Sequence, residues 1–256
     1  MKPAKIITVA AQRGGAGKTT TAAALAQALK ASKPRSKVLL VDMDGQQSAS
    51  LVYDIMGGDG RPTTYEVIRG EAKASEAIRE TEAGEIIPAS SNIDNLQIEL
   101  ANQAGRDSYL REALEEIRES YNYIIIDTPP GVGTCLIQAL TAADGVILPV
   151  LCEPVSYKGL LSITETISQV KKYCNASLEI LGVLITLYQP QTILTRQYEE
   201  LIGERCEKIG TKLLATKIRK AVAIPEAQAL GKDLYKYAPK SKPALDYLAL
   251  VKELKL

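Results

Sequence analysis

Ile6-Ile7-Thr8-Val9-Ala10-Ala11-Gln12-Arg13-Gly14-Gly15-Ala16-Gly17-Lys18-Thr19-Thr20 decides the reading of this 256-residue chain. A short apolar strand, 6–10, runs into a glycine-rich turn, and an alanine-rich helical stretch, 18–31, follows at once. Glycines let backbone N–H groups close around an anion, and a helix start adds a dipole that favours negative charge. Lys18 can reach the β- and γ-phosphates of a nucleotide, and the Thr19 hydroxyl can bind the magnesium that accompanies them. Gln12 stands where the ordinary GxxxxGK[ST] pattern has its first glycine. The match is to a compressed form, [K]GGxGKT[ST], with Arg13 at its basic position. A glycine turn with no nucleotide is the bland alternative; Lys-Thr-Thr directly behind a strand argues against it.

The pattern of strands and helices continues outward from this turn. Aliphatic runs at 38–41, 85–88, 123–126, 145–150 and 180–185 read as buried strands. Helices are expected over 63–69, 106–119, 134–142, 156–172, 192–207 and 242–255, the second with Leu110, Leu114 and Ile117 at helical spacing. Near-continuous aliphatic strands alternating with helices predict a mostly parallel central sheet covered on both faces, the α/β three-layer sandwich of P-loop proteins. One domain over 1–256 is expected. Gly57-Gly58-Asp59-Gly60 is the most flexible-looking stretch and is too short to separate domains.

Composition narrows the chemistry. Hydrophobic residues make up 46% and charged residues 24%, the balance of a soluble globular protein. There is no histidine, which removes histidine acid–base chemistry and histidine metal sites. With neither tryptophan nor phenylalanine, the core must come from aliphatic residues and some of the 12 tyrosines. Cys135, Cys152, Cys174 and Cys206 are scattered with no CxxC pair, which reads as reduced thiols in a cytosolic protein. No apolar run is long enough to span a bilayer, and the opening Met1-Lys2-Pro3-Ala4-Lys5 carries no signal-peptide pattern.

Three carboxylates sit at strand ends. Asp42 and Asp44 follow strand 38–41, and Asp127 closes strand 123–126, followed by Thr128-Pro129-Pro130-Gly131. In an open parallel sheet, ligands bind outside the carboxyl ends of the strands, the edge at which the glycine turn opens. A lone strand-terminal aspartate reads as a cap or turn residue. Three of them beside a phosphate loop read as a magnesium and water-positioning set. Asp42 continues its strand and is expected near the metal, with Thr19 and Asp127. Asp44, two residues on, can lean over the γ-phosphate and orient the attacking water. Arg13, Gly14, Gly15, Ala16, Gly17, Lys18, Thr19 and Thr20 form the expected nucleotide set, with Lys18 and Asp44 as the catalytic residues.

Charge is unevenly spread. Residues 60–120 carry 13 acidic and 7 basic side chains, whereas 205–242 carry 10 basic and 3 acidic. The second stretch suggests a surface that faces a polyanion. Arg196, Lys212, Lys217, Arg219 and Lys220 are the candidate contacts to such a polyanion, with Lys232, Lys236 and Lys240 behind them. Tyr157, Tyr188 and Tyr198 could stack on a base, and core packing is their default role.

The motifs at 13–20, Val41-Asp42-Met43-Asp44-Gly45-Gln46 and Ile126-Asp127-Thr128-Pro129-Pro130 resemble those of the deviant-Walker ATPases. With Ile185-Thr186-Leu187-Tyr188 and the tail 229–242 they are most similar to the small ParA/Soj-type partition ATPases, with MinD as a cousin. The resemblance implies an ATP-dependent homodimer that sandwiches two nucleotides. It also implies non-specific DNA binding by that dimer, release stimulated by a ParB-type partner, and a cytoplasmic, nucleoid-associated location. Carried over by position, Lys18 and Thr20 hold phosphates, Thr19 and Asp127 magnesium, Asp44 the water, and Asp42 supports the metal. Arg13 stands where the family has lysine, and the resemblance implies that it is catalytic by reaching the partner's phosphates. Gly45 replaces a usual proline; Gln191 and Ala223 replace basic residues tied to DNA contact. The competing readings are a MinD-like membrane-positioning ATPase and a metabolic ATP-dependent enzyme on the same scaffold, such as an amidoligase or a tyrosine kinase. For the first, the amphipathic stretch 243–256 is decisive, and a closing helix packed on the domain is the expectation, with no stable membrane anchor.

Overall fold

The computed structural model describes residues 3–55, 59–190 and 193–256. Gly57, Gly58 and Gln191, and the first two residues, fall outside that set. Seven strands form one sheet: β1 (Lys5–Val9), β2 (Val38–Asp42), β3 (Arg79–Thr81), β4 (Gly84–Ile87), β5 (Tyr123–Asp127), β6 (Gly145–Val150) and β7 (Glu179–Ile185). Their order is β3-β4-β2-β5-β1-β6-β7, and every pairing is parallel except the β3–β4 hairpin.

Side-chain alternation along the strands builds two cores. On β1, Ile6 faces one layer while Ile7 and Val9 face the other; on β5, Ile124 and Ile126 oppose Ile125. All of these are fully buried, each contributing roughly 1.5–3 kcal/mol relative to exposure. This two-sided burial is why the strands read as unbroken aliphatic runs.

Helix α1 (Lys18–Ser32) follows the glycine loop, and α2 (Ser48–Val52) follows β2. Then come α3 (Thr64–Ile68), α4 (Ala74–Ala77), α5 (Leu96–Glu99), α6 (Tyr109–Glu115), α7 (Thr134–Ala142), α8 (Pro154–Tyr173) and α9 (Ile193–Lys208). The chain closes with α10 (Ala223–Ala229), α11 (Leu234–Tyr237) and α12 (Lys242–Glu253). Residues of α1, α2, α10, α11 and α12 share one core; α3 to α9 pack on the other face.

Two departures from the sequence pattern have physical causes. The segment 106–119 is not one helix: 3-10 turns at Arg106–Ser108 and Arg118–Ser120 flank α6. Arg118 is held there by the Ala4 carbonyl (3.1 Å) and by Asp144 (2.7 Å), which turns the chain towards β5. Strand β3 carries Arg-Glu-Thr, with no apolar alternation to announce it. Arg79 is nonetheless buried, donating to Asp59 (2.9 and 2.8 Å) and to the Ala77 carbonyl (2.7 Å).

The closing helix α12 lies against α1. Its Ala244, Tyr247, Leu250 and Val251 are buried, and the Tyr247 hydroxyl meets Thr21 Oγ at 3.1 Å. Its apolar face is therefore spent on the fold, as the packed-helix expectation required. Among the described residues, no helix is long and apolar enough to cross a membrane.

Candidate nucleotide site

The carboxyl ends of β1, β5 and β2 lie side by side, so residues distant in sequence meet by register alone. Asp42 pairs with Asp127 across β2 and β5, and Val9 pairs with Asp127 across β1 and β5. The glycine loop leaves β1 beside these two carboxylates.

Gly15 and Gly17 have φ of 78° and 81°, left-handed conformations that a side chain strains. Gly17 also caps α1, so the loop turns directly into the helix. The loop is braced from two other strands. Thr186 Oγ1, at the end of β7, donates to the Ala16 carbonyl at 2.9 Å and lies about 3.6 Å from where a Gly17 side chain would start. Gly131 N–H, beyond β5, donates to the Gln12 carbonyl at 3.1 Å. In the sequence Thr186 carries a family likeness alone; its support of the loop is a tertiary contact 170 residues away.

Lys18 is buried at the start of α1 and donates through Nζ to the Arg13 carbonyl at 3.2 Å. Burial lowers its pKa, and the nearby carboxylates of Asp127 and Asp44 pull the other way. The three aspartates are held differently. Asp42 Oδ1 accepts from the Asp44 N–H (3.0 Å), and Oδ2 accepts from Ser50 N–H and Oγ (2.8 and 2.7 Å). Asp42 is thus engaged in fixing the turn that aims Asp44. Asp127 is fully buried, and neither of its oxygens closes a well-formed hydrogen bond; the Thr19 hydroxyl lies close enough to favour its charged form. Asp44 is buried too, with Oδ1 accepting from the Gln46 N–H at 3.0 Å.

This donor set fits magnesium held partly by a nucleotide. Among the described residues, no group of three or more acidic or sulfur side chains is arranged to hold a metal by itself. Magnesium commonly takes one or two carboxylates and completes its shell with phosphate and water oxygens. Asp127, with its unpartnered buried oxygens beside Thr19 and Lys18, is the residue such an ion would satisfy.

Burial pushes Asp42 from an ordinary 3.8 up to about 6, and it pushes Asp127 well up as well, with Asp42 as the second cause. For an acid whose folded pKa exceeds its unfolded one, the folded state holds the extra proton between the two values. The associated stability is fully present below pH 3.8 and is lost as pH rises through about 6. The thermal midpoint of the nucleotide-free chain should therefore fall between about pH 5 and about pH 7.5, with Asp42→Asn flattening that slope. An equally steep profile in Asp42→Asn would assign the slope to other groups.

Three neighbours of the site were not legible as such. Glu153, at the N-cap of α8, forms an ion pair with Arg13. Ser50 anchors Asp42. Asp94 packs its carboxylate onto Gly45, in the space where a side chain at that position would begin. A proline at 45 would displace Asp94, so glycine there is matched to this neighbour. Cys135 is buried nearby, and burial together with Asp94 and Asp44 pushes its thiol up to about 12, leaving it an inert packing residue.

Residues 4–180 match the AAA domain family. The chain is 38% identical to the sporulation initiation inhibitor protein Soj of Bacillus subtilis, over 97% of each chain. It is 36% identical to the chromosome partitioning protein ParA of Caulobacter vibrioides, over 98% of this chain and 94% of that one. The chain belongs to the ParA/Soj-type deviant-Walker ATPases. The fold is shared more widely. The crystal structure of cobyrinic acid a,c-diamide synthase from Mycobacterium smegmatis with bound ADP and magnesium superposes with a TM-score of 0.84. That protein is 30% identical, with 97% of this chain and 93% of that chain covered.

The basic residues expected at DNA in a ParA-like ATPase are not equally free. Lys217 is paired with Glu199 and lies 4.6 Å from the centre of the Tyr188 ring. Arg219 chelates Asp246 through Nε (3.1 and 3.0 Å) and Nη2 (2.6 Å). Arg196, Lys212 and Lys220 are exposed and make no ion pair among the described residues. Ala223 starts α10, and Gln191 lies outside the described residues. Tyr157 and Tyr198 pack edge to face at 6.3 Å against the core, which meets the packing expectation for both.

Proposed function

We propose that this chain hydrolyses ATP to ADP and phosphate, pairs with a second copy while ATP is bound, and in that state holds DNA without sequence preference to position a DNA cargo. The observation that carries the ATP reading is the buried Asp127, without a partner for its oxygens, beside Lys18 and Thr19 at the mouth of the glycine loop. In this reading, backbone N–H groups of Gly14 to Gly17, with Lys18 and Thr20, bind the phosphates. Thr19 and Asp127 would hold magnesium, which would supply charge neutralisation on the phosphates. Asp42 supports the metal by fixing the turn beside it. Asp44 orients the attacking water and receives its proton.

The homodimer is supported by the surface around the mouth. Ile98, Val132, Val155 and Leu187 are all half or more exposed or close to it, and all lie on segments that leave carboxyl ends of strands. Such apolar groups around a charged site suit a second copy as cover. Arg13 acts across that interface after exchanging Glu153 for the partner's phosphate, a bidentate target for its planar fork.

DNA contact rests on Arg196, Lys212 and Lys220, with Lys217 and Arg219 entering only by leaving Glu199 and Asp246. Pairing two chains doubles the patch. A mobility-shift titration with duplex DNA should show binding that requires ATP. With three contacts per chain, affinity should fall about 10³-fold between roughly 50 and 200 mM salt. Equal affinity with and without ATP defeats the reading. A ParB-type partner with a basic segment should raise turnover, and DNA and partner together should raise it more than either alone. A cytoplasmic, nucleoid-associated protein is the corresponding location.

A further inference from the structure

Away from the glycine loop, at the amino end of β7, a cavity of about 660 Å³ opens between the C-terminal turns of α8 and α9. This is the end of the sheet opposite the nucleotide edge, since β7 begins at Glu179 and reaches that edge only at Ile185. The volume lies within the range of small-molecule sites. Lys171 and Lys172 enter from α8, and Arg205 enters from α9. Glu165 is the one carboxylate in the lining, so the cavity carries an excess of two positive charges. Its remaining wall includes the apolar Ile180 and Ile209.

Arg205 is the informative residue. It makes no hydrogen bond or ion pair among the described residues, and its Nε is buried without an acceptor. A buried donor left unpaired is costly, and the guanidinium fork is shaped to give Nε and one Nη to two oxygens of a single anion. Elsewhere in this chain, Arg79 gives Nε and Nη2 to Asp59, and Arg219 does the same to Asp246. At Arg205 the protein supplies two lysines in place of a carboxylate.

We propose that this cavity is a second ligand site, for a small phosphate monoester with an apolar body. The dianion matches the excess of two charges, Arg205 binds two of its oxygens, Lys171 and Lys172 neutralise the rest, and Ile180 and Ile209 receive the carbon portion. A phosphodiester backbone would use the cations and leave the apolar wall unfilled, so duplex DNA is the poorer occupant.

The probe is phenyl phosphate, titrated calorimetrically into the full chain with the glycine loop saturated by magnesium and ADP. Phenyl phosphate should bind in the range of about 1 mM or tighter, inorganic phosphate several-fold more weakly, and benzyl alcohol not measurably. Arg205→Gln should weaken phenyl phosphate about tenfold or more, the scale of losing charge-assisted hydrogen bonds. The double variant Lys171→Gln, Lys172→Gln should do the same. Both should keep the basal ATPase rate and thermal midpoint of the parent chain. No binding at about 10 mM, unchanged affinity in either variant, equal affinity for inorganic phosphate, or displacement of the probe by duplex DNA would each overturn the assignment.

Discussion

Lys18→Ala should lose ATP affinity by about 10²- to 10⁴-fold, the largest binding effect expected from any single change in this chain. The magnitude follows from two charge-assisted hydrogen bonds to phosphate oxygens at about 1.5–3 kcal/mol each. The surroundings add to it. Lys18 is the cation facing buried Asp127 and Asp44, so its removal leaves carboxylates where phosphate charge must arrive. Lys18→Gln, which keeps a hydrogen-bonding end but is uncharged and one atom shorter, should recover only a small part. The measurement is a fluorescence titration with a labelled ATP analogue and magnesium, alongside circular dichroism to confirm the fold. A loss below about fivefold would show that backbone N–H groups alone hold the phosphates, and the role given to Lys18 would fall.

Most of the scaffold could be read from the chain because its strands are doubly buried. Runs such as Tyr123-Ile124-Ile125-Ile126 have no solvent face to confuse the pattern, and every strand expected from an aliphatic run is present. Strand β3 carries no such pattern, for the opposite reason. Its only buried side chain is Arg79, whose burial depends on Asp59 and the Ala77 carbonyl rather than on hydrophobicity. The helix expected over 106–119 failed because Arg118 answers to Ala4 and Asp144, contacts that local periodicity cannot encode.

The site divides along the same line. Its covalently local parts, the loop 13–20 and the aspartates that close β2 and β5, carry signals in their own neighbourhood. Register then places Asp42 beside Asp127 without further information. The residues that hold those parts in place come from far along the chain: Thr186 under Ala16, Ser50 on Asp42, Glu153 on Arg13, Asp94 against Gly45. None of these residue types is unusual in a loop or helix start, so only the fold distinguishes them. The same holds for the basic candidates. Sequence counts Lys217 and Arg219 as free charge, whereas Glu199 and Asp246 claim them in three dimensions.

Asp44→Ala should slow ATP turnover by about 10²- to 10⁴-fold while changing ATP affinity by no more than a few fold, because the residue serves the water rather than the phosphates. The geometry separates the two effects. Asp44 carries its carboxylate beyond the end of β2, and its backbone N–H, which alanine retains, is what holds Asp42 Oδ1. Lys18, Asp127 and the loop glycines are untouched, so the binding half of the site survives the change. If bound ATP is what joins two chains, blocking its hydrolysis should leave the pair locked. Light scattering in saturating ATP and magnesium should then give twice the 27.6 kDa mass of one chain, and the 27.6 kDa mass itself with ADP. The parent chain under the same conditions should drift back towards single subunits as ATP is consumed. A variant that binds ATP, does not hydrolyse it and remains a single subunit would separate catalysis from pairing, and the dimer would have to be abandoned while the ATPase stood.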